Sequence, residues 1–103
     1  MTTSTDVLRH HREQFGDSTI HQVVTKLLEE AGELSGAITR HTEFRDGRSW
    51  KMDVRLEIQD VLIVLEVIAA RFGSDIESLL VDGRNRFLSR TWDINRDRSG
   101  VQV

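Results

Sequence analysis

Two acidic pairs in this sequence have the residue types and the spacing to hold a hard cation: Glu30 with Glu33, and Glu57 with Asp60. Residues three apart on a helix stand side by side, so each pair offers two carboxylates to one neighbour. Four converging carboxylates raise one another's pKa and resist ionising together unless a cation neutralises them. The chain has no cysteine, and none of its four histidines stands at metal-ligand spacing with the acids. An all-oxygen donor set favours Mg²⁺, with Mn²⁺ as a substitute, over zinc. A di-iron carboxylate bundle needs Glu-x-x-His, and here no glutamate has a histidine three residues on. Taken singly, a Glu-x-x-Glu is a solvated helix face. The pairs do chemistry only if the helices that carry them bring them together.

Four helical segments are expected. The first spans roughly Thr5 to Phe15, with Val7, Leu8 and Phe15 apolar and Gly16 as its stop. The second runs from about Thr19 to His41, with apolar residues at helical spacing from Ile20 through Val23, Val24, Leu27, Leu28, Ala31 and Leu34 to Ile38. A polar connection, Thr42 to Ser49, turns the chain. The third helix, about Trp50 to Phe72, is apolar on nearly every side between Val61 and Ala70, which fits burial on several sides or under a partner chain. The fourth opens on the capping-box pattern Ser74-Asp75-Ile76-Glu77 and continues to about Arg90. The chain reads as one domain over 1–103, its core about 19–92 and its polar tail 93–103 loose.

At about 100° per residue, the second helix's apolar stripe follows Ile20, Val24, Leu27, Ala31, Leu34 and Ile38, with Glu30 about 80° and Glu33 about 140° to one side. On the third helix the stripe follows Val54, Ile58, Val61, Leu65, Ile68 and Phe72, with Glu57 about 60° and Asp60 about 120° to the same side. Equal offsets of one sign emerge on a common face in an antiparallel pair, the arrangement a short connection enforces. All four acids are expected to converge.

A 103-residue domain without disulfides leaves apolar surface uncovered, so a metal or a second chain is expected to complete it. The net charge of -3 argues against binding a nucleic acid polymer through bulk charge. No segment reads as a secretory leader or as long enough to cross a bilayer, and the expectation is a cytoplasmic protein with no membrane partner.

The stretch Lys26-Leu27-Leu28-Glu29-Glu30-Ala31-Gly32-Glu33-Leu34, followed by Glu57-Ile58-Gln59-Asp60-Val61-Leu62, resembles the EExxE…ExxD pattern of the MazG-like all-alpha NTP pyrophosphatases. The resemblance covers roughly Ile20 to Trp92. It implies an all-α four-helix bundle completed by homodimerisation or as a dimer of dimers. It also implies Mg²⁺ held by Glu30, Glu33, Glu57 and Asp60. The activity implied is hydrolysis of a nucleoside triphosphate to the monophosphate and pyrophosphate, as housecleaning of the nucleotide pool. Glu29 matches the motif as an outer ligand or water-activating base, with Glu30 beside it as the other catalytic acid, although Glu29 reads equally well as solvated. A phosphoribosyl-ATP pyrophosphohydrolase of histidine biosynthesis is the alternative within that superfamily. A helical dimerisation or regulatory module is the alternative outside it.

Lys26 shares the acid flank and could meet a phosphate, or simply pair with Glu30 one turn on. Arg84 and Asn85 on the fourth helix read as a phosphate clamp or as a structural ion pair. Trp50 and Trp92 could stack on a base but more commonly serve a core or interface. His10, His11, His21 and His41 read as surface residues.

Overall fold

In the computed structural model, residues 2–44 and 50–91 are described, without the side chains of 41–44 and 50–52. They form four helices and no strand: α1 (Ser4–Phe15), α2 (Ile20–Phe44), α3 (Trp50–Arg71) and α4 (Ile76–Leu88). The polar connection is shorter than expected, because α2 runs on to Phe44; the remaining residues 45–49, and the expected tail from 92 onward, lie outside the described residues. No helix among the described residues is long and apolar enough to cross a membrane.

Local signals set the ends of these helices. Thr3 opens α1 with a capping box, its hydroxyl accepting from the Asp6 N–H while the Asp6 side chain accepts from the Thr3 N–H. Gly16 closes it at a φ of 71°, a conformation glycine adopts without steric cost. A second reciprocal pair opens α2, where the Gln22 N–H donates to Thr19 Oγ1 and the Thr19 N–H to Gln22 Oε1. After α3 the Ser74 N–H donates to the Ala69 carbonyl and the Gly73 N–H to that of Ala70, the paired bonds of a Schellman stop. Asp75, rather than the expected Ser74, caps α4 by accepting from the Ser78 N–H. Asp75 precedes that donor by the spacing a capping side chain spans, whereas Ser74 stands one residue too far back.

The α2–α3 contact is by far the largest in the chain; α1 and α4 each pack on α3, α4 only lightly. The hairpin is antiparallel, since Val23 early in α2 packs on Val64 and Val67 late in α3, while Glu33 further along α2 meets Glu57 early in α3. Val7 and Leu8 of α1 close over the Val23–Val64–Val67 cluster with Leu27 and Ile68. Ser4 Oγ donates to Glu66 Oε2 at 2.9 Å and fixes the start of α1 against α3.

The buried faces differ from the expected stripes. On α2 the buried residues are Val23, Glu30 and Ala37, while Val24, Ala31 and Ile38 are exposed. On α3 Val64 and Val67 are buried, while Ile58 and Phe72 are exposed. The buried residues are displaced from the sequence stripe toward the acid flanks, by about 80° for Val23, Glu30 and Ala37 on α2 and about 110° for Val64 and Val67 on α3. Each carries more apolar surface than one neighbour can cover, so its hydrophobic centre does not identify the face used within the chain.

The resulting core is small: among the described residues, Val23, Ala37, Val64, Val67 and Ala69 are the buried apolar ones. Accessible surface is 8548 Å², against about 5,900 Å² for a folded monomer of 11.8 kDa. The radius of gyration is 16.9 Å, against about 13 Å for a compact domain of 100 residues. Leu28 is 70% exposed and Phe72 72%, and α4 leaves Leu79, Leu80, Val81, Phe87 and Leu88 uncovered. With so few buried residues each one matters. Val67→Ala is expected to lower stability by about 1.5–3 kcal/mol, through lost burial and the cavity left behind. Urea unfolding of the metal-free chain checks this.

Candidate metal centre

Glu30 lies in line with Val23 and Ala37, seven residues before and after it, so the helical repeat places it on the buried face of α2. Only 7% of it is exposed. Glu33, less than one turn further, emerges at the rim, and the half-buried Glu57 faces both from α3. Carboxylate oxygens of Glu30, Glu33 and Glu57 lie within 4.8 Å of one another. Asp60 stands outside this cluster. It falls in line with the buried Val67 seven residues on but is itself exposed, because at its level α3 borders a cavity, shared with Glu30, instead of packed side chains.

The donor set fits a hard cation. Glu30 Oε2 and Glu57 Oε2 are both buried and lack a hydrogen-bond partner. Leaving buried charged oxygens unpaired costs several kcal/mol, roughly, unless a cation or proton compensates. The other Glu30 oxygen, Oε1, accepts from Lys26 Nζ at 3.1 Å, and Glu29 Oε2 lies 3.5 Å from the same ammonium. Lys26 therefore makes the pairing anticipated one turn away, and the hydrogen bond to Glu30 raises its pKa most, followed by that carboxylate's charge. Glu29 itself is exposed.

Glu33 is raised above the ordinary carboxylate value of 4.5, chiefly by the charge of Glu30, then by desolvation and by Glu57. Like-charge crowding is thus present even at the exposed edge of the cluster. A carboxyl whose folded pKa is raised contributes stability that is fully present below its unfolded value and lost as pH rises through the folded one. The metal-free chain is therefore expected to gain thermal stability from this group as pH falls from neutral to about 4.5. Thermal melts in EDTA over that range check it, and Glu33→Gln is expected to flatten the trend.

Within the chain, Arg84 and Asn85 do not reach these acids. Both are exposed on α4, which touches α3 and, among the described residues, has no contact with α2. The side chain of Trp50, all of Trp92 and the side chain of His41 lie outside the described residues. His10 and His21 are exposed as expected. His11 is not a plain surface residue: it is half-buried against Phe15, ring centroids 5.0 Å apart, and burial, then the nearby Arg71, holds its pKa below the ordinary value. Helical periodicity on α1 gave no sign of this, because the surface His11 packs on comes from α3.

His11 and Phe15 help to line a cavity of about 520 Å³, bounded also by Ser18, Gln22, Val23 and Lys26 from the turn and α2, and by Asp60, Ile63, Val64 and Val67 from α3. Glu30 belongs both to this wall and to the acid cluster.

No family model matches the chain, and neither the curated proteins nor the solved structures contain a significant match to it.

Proposed function

We propose that the protein is a Mg²⁺-dependent nucleoside triphosphate pyrophosphohydrolase acting in the nucleotide pool, with Mn²⁺ able to replace Mg²⁺. The observation that carries this reading is the Glu30–Glu33–Glu57 cluster with two buried, unpartnered carboxylate oxygens. These three residues would hold the ion, with Asp60 at the edge of the site. The ion supplies neutralisation of phosphate charge and a more acidic water. Mg²⁺ keeps several waters and commonly shares substrate phosphates, which suits a site with few protein ligands.

The chain's own residues then have distinct tasks. Lys26, within reach of both Glu29 and Glu30, offers donors to a phosphate oxygen. Glu29, exposed beside Lys26, would accept a proton from the attacking water. The water oxygen bonds to the α-phosphorus as the bond from that phosphorus to the bridging oxygen breaks, and pyrophosphate leaves with the electron pair. Arg84 and Asn85 would serve this site only from a second copy, since α4 lies away from the cluster in its own chain. Homodimerisation, or a dimer of dimers, also accounts for the apolar surface left on α2, α3 and α4.

Pyrophosphate release from a panel of canonical and modified NTPs and dNTPs, with phosphoribosyl-ATP included, tests the reading in Mg²⁺ and in EDTA. Metal-dependent release is expected from one or a few of the nucleoside triphosphates. Release from phosphoribosyl-ATP alone would reassign the substrate. Release from none would leave a helical dimerisation module.

A further inference from the structure

We propose that a second, smaller cavity between the last turns of α1 and α3 is an oxyanion site of the phosphate class, its anion held by Arg12 and Arg71 with His11 beside them. The site is separate from the acid cluster and does not depend on that cluster's being catalytic. Leu8, Val67 and Ala70 make part of the cavity wall apolar, and its titratable groups are His11, Arg12 and Arg71. All three are basic, in a chain whose net charge is -3. Bases crowded in this way resist carrying charge together unless an anion joins them. The crowding reaches His11, whose pKa is held down by burial and then by Arg71. Among the described residues Arg71 pairs with no carboxylate, and it is exposed at the cavity wall. Arg12 has Asp17 at 3.3 Å, but those side chains are 79% and 91% exposed, and an ion pair so open to water contributes little. Asp17 is not on the cavity wall.

Both helices end here, and a helix C-terminus carries roughly half a negative charge. Two guanidinium groups outweigh two such ends. Carbonyls of the last turns are also occupied, that of Arg12 by the Gly16 N–H and those of Ala69 and Ala70 by the N–H groups of Ser74 and Gly73. Size and donors then select the ligand. At about 260 Å³ the cavity is smaller than the roughly 300–1,000 Å³ of sites for drug-sized molecules, so it suits a phosphate or diphosphate rather than a nucleotide. A guanidinium presents its N–H groups as a planar fork that engages two oxygens of one phosphate. His11 offers an N–H in either protonation state, and a bound anion raises its proton affinity, opposing Arg71. The other charged groups that share a cavity wall with His11 are Lys26 and Glu30 of α2 and Asp60 of α3. His11 and Val67 belong to the walls of both cavities, so an anion in the smaller one is felt in the larger.

The test is binding of inorganic phosphate and diphosphate to the full chain at constant ionic strength, followed through the His11 imidazole by NMR. It compares the wild type with Arg71→Gln, Arg12→Gln and Lys26→Gln, in EDTA so that no metal bridges phosphate to the carboxylates. Both anions are expected to bind the wild type saturably and to raise the His11 pKa, and chloride to do neither. Arg71→Gln is expected to weaken binding at least about 10-fold, the loss of one charge-assisted contact. Arg12→Gln is expected to weaken it less, because Asp17 already competes for that side chain, and Lys26→Gln to leave it unaltered. Both arginines are exposed, so circular dichroism is expected to show the helices intact in their variants. No saturable binding to the wild type, or equal binding by Arg71→Gln, would overturn the proposal. So would binding lost in Lys26→Gln and kept in Arg71→Gln, which would put the anion in the larger cavity. An equal shift with chloride would reduce the effect to screening and overturn it as well. The presence or absence of triphosphate hydrolysis alters none of these outcomes.

Discussion

Glu30→Gln is expected to lower metal-dependent pyrophosphate release at least about 100-fold, since even residues that merely support a metal ligand commonly change affinity or activity 10–100-fold when lost. The same variant is expected to lose the rise in melting temperature that Mg²⁺ gives the wild type, because an ion that binds only the folded chain stabilises it in proportion to its affinity. The metal-free fold is expected to survive. Glutamine has nearly the shape of glutamate, and it removes one of three charges whose oxygens lie within 4.8 Å. The ion pair with Lys26 is lost, but that ammonium is half exposed and keeps Glu29 3.5 Å away. Circular dichroism and melts with and without Mg²⁺ separate these effects from turnover. If Glu30→Gln hydrolysed triphosphates at the wild-type rate, the cluster would not be the catalytic centre.

The second large effect is expected from the apolar surface. Leu28 is 70% exposed on α2, so Leu28→Glu places its carboxylate in water in the isolated chain. If a second copy covers this face, the change removes burial of about 1.5–3 kcal/mol and desolvates a charge as well. A two-fold interface counts the substitution twice. Dimer dissociation constants are then expected to rise at least about 100-fold, since every 1.4 kcal/mol is tenfold. Sedimentation or light scattering at micromolar concentration should show the wild type at twice the mass of Leu28→Glu, with helical content similar in both. A wild type that is monomeric there would refute the dimer. Loss of hydrolysis on dissociation would place residues from the second copy, Arg84 and Asn85 foremost, in the working site.

The sense of the helical hairpin was legible because two independent regularities agreed. Apolar residues at helical spacing gave α2 and α3, and a connection too short for a crossover required them to be antiparallel. Glu30, Glu33 and Glu57 met because their offsets have one sign, a relation that survives when both helices turn together. Asp60 lies outside their cluster: it falls in line with the buried Val67, yet at its level α3 borders the cavity instead of packed side chains. The rotation was hidden because α2 and α3 are apolar around much more than one face. A periodicity average finds the centre of all that surface, whereas a single neighbour covers only a portion of it.

α1 marks the other boundary. Its local signals, a capping Thr3 and a closing Gly16, are readable in the chain. That it folds back over Val64 and Val67 is not, because the decision belongs to contacts between residues some 60 positions apart, such as Ser4 with Glu66. The sequence by itself determined four helices, an antiparallel pair and acids on matched flanks, all consequences of local periodicity and chain connectivity. Only the tertiary structure decided which carboxylates are buried and that His11 and Phe15 stand with Glu30 around one cavity. Burial and convergence depend on how far each helix turns about its own axis. That angle is set by competition among many apolar contacts, and no single stretch of sequence encodes it.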